Sequence, residues 1–441
     1  ICEEAESTMI FSIAALLILV LIFTGVAVPL AFLGGSFFVA YMGLGSTGTF
    51  ATNSFYILNS ISMLAIPLFV VGGSLIERSG IANVLIRVAD KMLRNVKGGL
   101  TATIPVVSCF FGALCGSALA TANTLSTAMV PELEKKGYNK AYLAALIAAS
   151  SPFGFMIPPN VNAIIFASVS SASVGALFMA TIVPGIIWAG LYLVINRIIY
   201  KHYYNPEQPE LEAESPAADS PHSKFWLELI VAVLMPVIVL GGIYGGVFTA
   251  TEAGAITCLY GAVMGVVVYK RLSLKQLVGV FTKGVKDVSA LVIMFPMTLI
   301  FSRLMTLNHI PELVAEVMLG ITNNRIGLIL LIDILLFLIG FFLDGNVIIL
   351  TLVPLLTPIA SACGIDTIQL AVIVFVSIGI GSITPPMATC LMACSRVCDV
   401  PIHKLIKPIM PFLLFGALPI LLLVSFVPQI STWLPSLFYS F

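Results

Sequence analysis

The stretch SSPFGFMIPP at residues 150–159 interrupts a long apolar segment with a glycine and a double proline. A second stretch, IGIGSITPP at residues 378–386, interrupts another apolar segment late in the chain in the same way. In lipid, a helix is broken only where the freed backbone groups line protein or a water-filled cavity. If the protein spans a membrane, each stretch therefore predicts a polar site within it.

A polar tip precedes each break at the same distance. The tips are GSALATAN at residues 116–123 and LDGN at residues 343–346. Pro158 follows Ser117 by 41 positions, and Pro385 follows Asp344 by 41 positions. Paired Gly/Pro interruptions in two halves of a membrane chain are typical of the binding site of a secondary transporter.

The composition supports a membrane location for nearly the whole chain. Of its 441 residues, 59% are hydrophobic and only 10% are charged, whereas a soluble domain averages about 25% charged residues. Apolar stretches long enough to cross a bilayer, about 20 residues each, recur from end to end. We expect an all-α polytopic membrane protein. With no Walker A loop and no catalytic cluster in the sequence, an enzyme is not expected, nor a metal site beyond a coupling ion.

The basic residues predict the topology. Nineteen of the 21 lysines and arginines fall in five clusters, at residues 78–97, 135–140, 197–224, 270–286 and 396–407. All five lie on one face if each tip belongs to a re-entrant hairpin, and by the positive-inside rule that face is cytoplasmic. The N-terminus is then cytoplasmic and the C-terminus is outside.

The chain divides into two membrane halves, 1–204 and 224–441. Residues 205–223 contain four prolines, four glutamates and one aspartate, which predicts a flexible cytoplasmic linker. We expect a hairpin at 98–137 and a broken helix at 139–170 in the first half, and a hairpin at 325–364 and a broken helix at 366–396 in the second. Because the two hairpins open to opposite faces, the halves form an inverted repeat. Other predicted spans are 9–33, 55–76, one that ends near Tyr200, 225–248, 252–269, 287–307 and 408–427, with amphipathic segments at 84–94, 273–286 and 311–318.

The side chains near the tips and breaks are suited to a hard cation. They are mostly small or hydroxylic: Ser117, Thr121, Asn123, Thr124, Ser150, Ser151, Asn346, Ser382 and Thr384. The carbonyl end of a broken helix suits a cation such as Na⁺, and its amide end suits an anion. Asp344 is either part of a cation site or a helix cap at the tip, since a carboxylate at membrane depth is costly.

Other polar and aromatic residues admit plainer interpretations. Arg303 either anchors an anionic substrate or reaches the outer interface. Asp333 is expected near the outer water interface, and Glu252 as an interface or capping residue. Trp188, near the end of a predicted span, is expected to anchor that span at the membrane surface.

Taken together, the motifs resemble those of the large membrane subunit of tripartite ATP-independent periplasmic (TRAP) transporters. The first half carries GSALA at 116–120, Gly137-Tyr138 and Ile157-Pro158-Pro159. The second half carries FLD at 342–344, Pro354, Pro358 and GSITPPM at 381–387. The resemblance covers essentially the whole chain.

The resemblance implies an elevator-type, Na⁺-driven importer of organic anions in a bacterial or archaeal inner membrane. Na⁺ is the coupling ion, and no other cofactor is implied. The implied partners are a periplasmic substrate-binding protein and a small four-helix membrane subunit. Two Na⁺ sites are implied, the first at Ser117, Asn123, Ser151, Gly154 and Ile157, and the second at Asp344, Asn346, Gly379, Gly381 and Thr384. Substrate contacts are expected at Arg303, Thr121, Pro158 and Pro385.

Two positions depart from the sialic-acid members of that family. Those members carry an arginine near the position of Leu307 and an acid at the position of Thr121. A smaller carboxylate or a sulfonate is therefore as well supported as sialic acid. The alternative function is a self-sufficient Na⁺/carboxylate symporter or antiporter that needs no binding protein.

Overall fold

The structure is a computed structural model of the 441-residue chain. It describes residues 2–59, 61–93, 99–170, 172–205, 222–322, 324–340, 343–362, 364–385 and 388–439. Most of the predicted linker, together with Pro386, Met387 and Phe342, lies outside the described residues.

The described chain is helical, and the predicted all-α fold class is confirmed. The first half contains α1 (Cys2–Phe23), α2 (Val28–Tyr41), α3 (Gly48–Leu58), α4 (Ile61–Ser79), α5 (Ile81–Leu93), α6 (Gly99–Cys115), α7 (Ala118–Lys135), α8 (Lys140–Ser150), α9 (Phe153–Met156), α10 (Val161–Ser170) and α11 (Val174–Ile199). The second half contains α12 (His222–Tyr244), α13 (Ala250–Val263), α14 (Leu274–Leu307), α15 (Ile310–Ile321), α16 (Arg325–Gly340), α17 (Gly345–Ala362), α18 (Thr367–Gly381), α19 (Thr389–Cys398), α20 (Ile402–Phe412), α21 (Leu418–Phe426) and α22 (Gln429–Ser436).

Several helices have the length and composition of membrane spans. Within the described ranges, five helices are long and apolar enough to cross a bilayer. The number rises to seven if each of two bent pairs counts as one span. One bent pair joins α3 to α4 at 56°, and the other joins α8–α9 to α10 at 44°, at the double proline.

Two predicted boundaries are wrong for local reasons. The predicted span 9–33 ends at Phe23, because Gly25 adopts φ +90° and Pro29 starts a new helix at α2. The predicted separate segment 273–286 is the first part of α14, which runs unbroken for 34 residues. Ser273 and Gln276 form a capping box at its start, and no helix breaker follows before Pro296.

Glu252 has the capping role that was one of its two predicted interpretations. The Thr249 hydroxyl accepts a hydrogen bond from the Glu252 amide, and a Glu252 carboxylate oxygen accepts one from the Thr249 amide at 2.7 Å. This reciprocal pair satisfies amides that the first turn of α13 leaves without helical partners.

The helices around the two breaks form the most buried part of the protein. All residues of α18 from Ile368 to Gly381 are buried, and so are those of α8 from Tyr142 to Ser150. α7 packs on α8 and α19, while α16 packs on α18. A second group of helices, α2, α4, α13 and α14, packs together beside them. The core therefore lies between the hairpin arms and the broken helices.

Candidate functional site

The first tip lies directly against the first break. A Cβ placed on Gly154 would lie only 2.6 Å from the Ser117 carbonyl carbon, and one on Gly116 would lie 2.8 Å from the Pro159 oxygen. One turn earlier, a Cβ on Gly112 would lie 2.9 Å from the Gly154 Cα. Backbones approach this closely only where glycine removes the side chain. Ser117 and Gly154, both expected at the first Na⁺ site, are therefore adjacent in the structure.

The first tip is held by hydrogen bonds to its own backbone. Ser117 caps α7, with its hydroxyl accepting from the Ala120 amide at 3.3 Å. The Thr121 hydroxyl donates to the Ser117 carbonyl oxygen at 2.8 Å, and Thr121 is fully buried. The structure thus shows Thr121 bracing the tip, with no surface open to the substrate that it was expected to contact.

Three other predicted members of the first site differ in position. Ser151 is buried at the end of α8 and its hydroxyl donates to the Ile147 oxygen at 2.7 Å, back along the helix. Ile157 is half-buried beside Pro158 and reaches towards Gly185 in α11. Asn123 lies further along α7, and no hydrogen bond links its side chain to the break within the described chain.

Asn160, which sequence reasoning missed, closes the first break. Its Oδ1 accepts a hydrogen bond from the Ala163 amide at 2.8 Å, so it caps the start of α10, and its Nδ2 has no partner among the described residues. An asparagine that follows a double proline and precedes an apolar run is a helix-start signal, and it could have been found from the sequence.

The second tip repeats the close backbone contact. A Cβ on Gly381 would lie 2.6 Å from the Gly340 carbonyl oxygen, at the end of the first hairpin arm α16. A Cβ on Gly345 would meet Ile378 of α18 at 2.4 Å. Each half therefore seats a hairpin on its broken helix by pairing a glycine of the arm with a glycine of the break.

Asp344 caps the second hairpin arm. Its Oδ1 accepts from the Asn346 amide at 3.0 Å, and its carbonyl oxygen accepts from the Ile348 amide at 3.1 Å. The carboxylate is exposed at the tip. The capping interpretation is thus observed, and the cation site stays a prediction.

The hydroxyls of the second break are engaged with the backbone of α18. Thr384 donates to the Ile380 oxygen and Ser382 to the Gly379 oxygen, each at 2.7 Å. Asn346, on the second tip, is half-buried, and Pro385, at the second break, is exposed.

The two breaks meet at one point. A Cβ on Gly379 would lie 3.0 Å from the Pro152 Cβ and 2.9 Å from the Trp188 ring. The Cα of Gly379 therefore faces the first break, whereas Gly381 faces the second hairpin. Trp188 is fully buried and packs edge-on against Phe153 at 5.8 Å, so its predicted role at the membrane surface is wrong.

Arg303 lies apart from both tips. It is exposed on α14, where it lines a cavity of about 260 Å³ with Ser46, just before α3, and with Thr49 and Asn53 of α3. None of the residues that line this cavity belongs to the tips or the breaks, and the expected contact of Arg303 with the substrate stays a prediction.

The arrangement can bind ions of either sign at different ends of the broken helices. α8 and α18 end at the breaks and present carbonyl groups, where the partial negative charge favours a cation. α10 and α19 begin after the breaks and present amides, which favour an anion. The tip of each hairpin supplies further backbone, hydroxyl or carboxylate oxygens.

An all-helical membrane fold with two paired hairpins and breaks defines a secondary-transporter class. Two solved transporters share the fold. The Alcanivorax borkumensis YdaH transporter aligns with a TM-score of 0.60 at 16% identity, covering 88% of each chain. The Neisseria gonorrhoeae MtrF efflux pump aligns with a TM-score of 0.63 at 13% identity, covering 86% of this chain and 84% of its own.

The chain belongs to the DctM component of the tripartite ATP-independent periplasmic transporters, whose family pattern matches residues 13–430. It is 33% identical to the sialic acid TRAP large permease SiaM of Vibrio cholerae, over 87% of this chain and 88% of SiaM. It is 30% identical to the C4-dicarboxylate TRAP large permease DctM of Pseudomonas aeruginosa, over 92% of this chain and 93% of that protein.

A third relative is longer than this chain. The isethionate TRAP permease DctMQ of Oleidesulfovibrio alaskensis is 32% identical over 86% of this chain, and the chain spans only 58% of its length.

The glycine contact at the first tip predicts the effect of one methyl group. We expect Gly154→Ala to push the tip away from the break, because the new Cβ meets backbone atoms that cannot move aside. The free energy of unfolding should fall by about 1–3 kcal/mol. The melting temperature of the purified protein should fall.

Gly190→Ala is the matched control, since its Cβ would meet no atom within 4 Å in α11. It should leave the melting temperature unchanged or raise it, because alanine favours a helix over glycine. Equal melting temperatures for the two variants would show that the tip does not depend on this contact.

Proposed function

We propose that the chain is the membrane-spanning translocation subunit of a Na⁺-driven importer of small organic anions that depends on a binding protein. Its family membership supports the transporter class. The names of its relatives mention isethionate, sialic acid and C4-dicarboxylates, which are all organic anions. A carboxylate or sulfonate substrate is consistent with that range.

The observation that carries the proposal is the seating of both polar tips on the two breaks, with the breaks adjoining at Gly379 and Pro152. Asp344 is the only ionisable residue in the four stretches that form the tips and breaks. A cation at the second tip would neutralise this carboxylate. An anion bound near the amide ends of α10 and α19 would then no longer be repelled by the Asp344 carboxylate.

The energetics favour coupled import. One elementary charge that crosses about 100 mV gains about 2.3 kcal/mol. Two or more Na⁺ ions that enter with one anion carry net positive charge inward, so the membrane potential drives uptake. In the elevator mechanism that we propose, the hairpins and broken helices move together against the group formed by α2, α4, α13 and α14.

The proposed assembly contains two partners. A periplasmic protein captures the anion and delivers it to the outer face, and a small four-helix subunit braces the non-moving helices. The chain would lie in the inner membrane with its N-terminus in the cytoplasm and its C-terminus in the periplasm. Residues 205–223 would link the two halves on the cytoplasmic side.

The proposal predicts strict dependence on the binding protein. Proteoliposomes that contain this chain and the small subunit should take up labelled anion only when the loaded binding protein and an inward Na⁺ gradient are both present. The readout is the initial rate of uptake for isethionate, succinate and sialic acid, each with its own binding protein. Na⁺-driven uptake without any binding protein would favour the self-sufficient symporter instead.

The charge at the second tip predicts unequal sensitivity of the two proposed ion sites. We expect Asp344→Asn to raise the Na⁺ concentration for half-maximal uptake by about tenfold or more, because loss of a charged partner costs about 1.5–3 kcal/mol. Asparagine is as good a helix cap as aspartate, so the start of α17 should persist.

Two variants serve as comparisons. Asp366→Asn changes an exposed acid that caps α18 through the Ile368 amide at 2.7 Å, and it should leave the Na⁺ dependence unaltered. Ser117→Ala removes one neutral oxygen from the first tip and should have a smaller effect than Asp344→Asn. If Asp344→Asn left the Na⁺ dependence at the wild-type value, the second ion site would be wrong.

A further inference from the structure

A second acid of the second hairpin is buried inside the protein. Asp333 lies in the middle of α16, eleven positions before Asp344, and is only 4% exposed. Asp333 is therefore shielded from water by its neighbours, and its expected position near the outer interface stays a prediction. Its hydrogen-bond partner is Ser425, near the end of α21, and Ser425 is in turn bonded by Gln369, near the start of α18; both are essentially fully buried.

Ser425 holds one side of the Asp333 carboxyl group. The Ser425 hydroxyl donates to Asp333 Oδ1 at 3.0 Å. The second oxygen, Oδ2, is buried and has no hydrogen-bond partner among the described residues. An ionised carboxylate in this position would leave a full charge desolvated with a single neutral donor.

Gln369 cannot supply the missing donor. Its Nε2 donates to the carbonyl oxygens of Val424 at 3.1 Å and Ser425 at 2.8 Å. Both partners are acceptors, so they fix which end of the amide faces them. The Gln369 Oε1 is therefore turned away, buried and also without a partner in the described chain. The cluster around Ser425 has two unsatisfied acceptors and no spare donor.

The surrounding charges do not compensate for an ionised Asp333. α16 packs on α15, α17, α18 and α21. The last three contain no acidic or basic residue. On α15, Glu312 and Glu316 are exposed and would repel a carboxylate. Arg325, at the exposed start of α16, directs its guanidinium to the Gly364 oxygen at 3.4 Å.

We propose that Asp333 is a proton-binding site of this subunit. One proton on Oδ2 removes the buried charge and converts an unsatisfied acceptor into a donor. A metal cation is a poorer fit, because it needs several oxygen ligands and only two acceptor atoms here are unengaged. The proton removes a buried charge from the place where α16 packs on α18 and α21, so its release at high pH should loosen the second hairpin.

The direct test reads the proton itself and does not depend on transport. The infrared spectrum of the wild-type protein in lipid should contain a carboxylic acid C=O band that is lost in Asp333→Asn and kept in Asp366→Asn. In Ser425→Ala the band should remain and move to higher frequency, because the C=O group loses its hydrogen bond. A wild-type spectrum identical to that of Asp333→Asn would overturn the proposal.

The functional test rests on the proposed function. Asparagine mimics the protonated acid, since its Nδ2 donates from the place of Oδ2. Uptake by Asp333→Asn should match the wild type at acidic pH and exceed it increasingly at alkaline pH, while Asp366→Asn should follow the wild type throughout.

Loss of Na⁺-driven uptake in a monodisperse Asp333→Asn protein would mean that an ionised carboxylate is required, and the proton assignment would fail. A wild-type protein that takes up no anion would instead refute the proposed function, and the infrared band would still decide whether Asp333 holds a proton.

Discussion

The close backbone contact between each hairpin and its broken helix is the constraint on which the site depends. A helix interrupted inside a membrane must hide or satisfy the backbone groups that it frees. Here the interruptions are covered by hairpin backbone, with Gly154 against the Ser117 tip and Gly381 against Gly340. Because glycine has no side chain, the main chain of each hairpin packs directly on the main chain of its broken helix. Polar oxygens and amides are thereby gathered in the centre of an otherwise apolar protein.

This packing also explains why the two breaks lie together. α8 and α18 are the most completely buried helices, and their ends meet where Gly379 faces Pro152 and Trp188. A shift of one hairpin must therefore press on the other half through a contact that has no spare space, since packed interiors transmit displacement. The geometry suits a unit that moves as a whole, in keeping with the proposed elevator motion.

The sequence predicted the helical class and the positions of the two helix breaks well, because Gly, Pro and polar residues are conspicuous in apolar segments. It predicted the roles of individual side chains less well, because their exposure depends on how the helices pack in three dimensions. Thr121 is a residue type that suits a binding site and Trp188 one that suits the membrane interface, yet both side chains are fully buried. Arg303 stands out by its charge alone, and only the packing of α14 on α3 shows that it lies away from the tips.

The two acids of the second hairpin show how burial separates residues of the same chemistry. Asp344 is exposed at a tip, where the amide of Asn346 supports its charge and a cation can approach from water. Asp333 is enclosed by α18 and α21, where one hydroxyl is its only donor within the described chain. Both carboxyl groups are desolvated, but the backbone amides of the tip support a charge at Asp344 better than the single Ser425 hydroxyl supports one at Asp333. Under the two proposals, the hairpin responds to Na⁺ through its tip and to protons through its arm, and the two responses should be separable by substitution of one acid at a time.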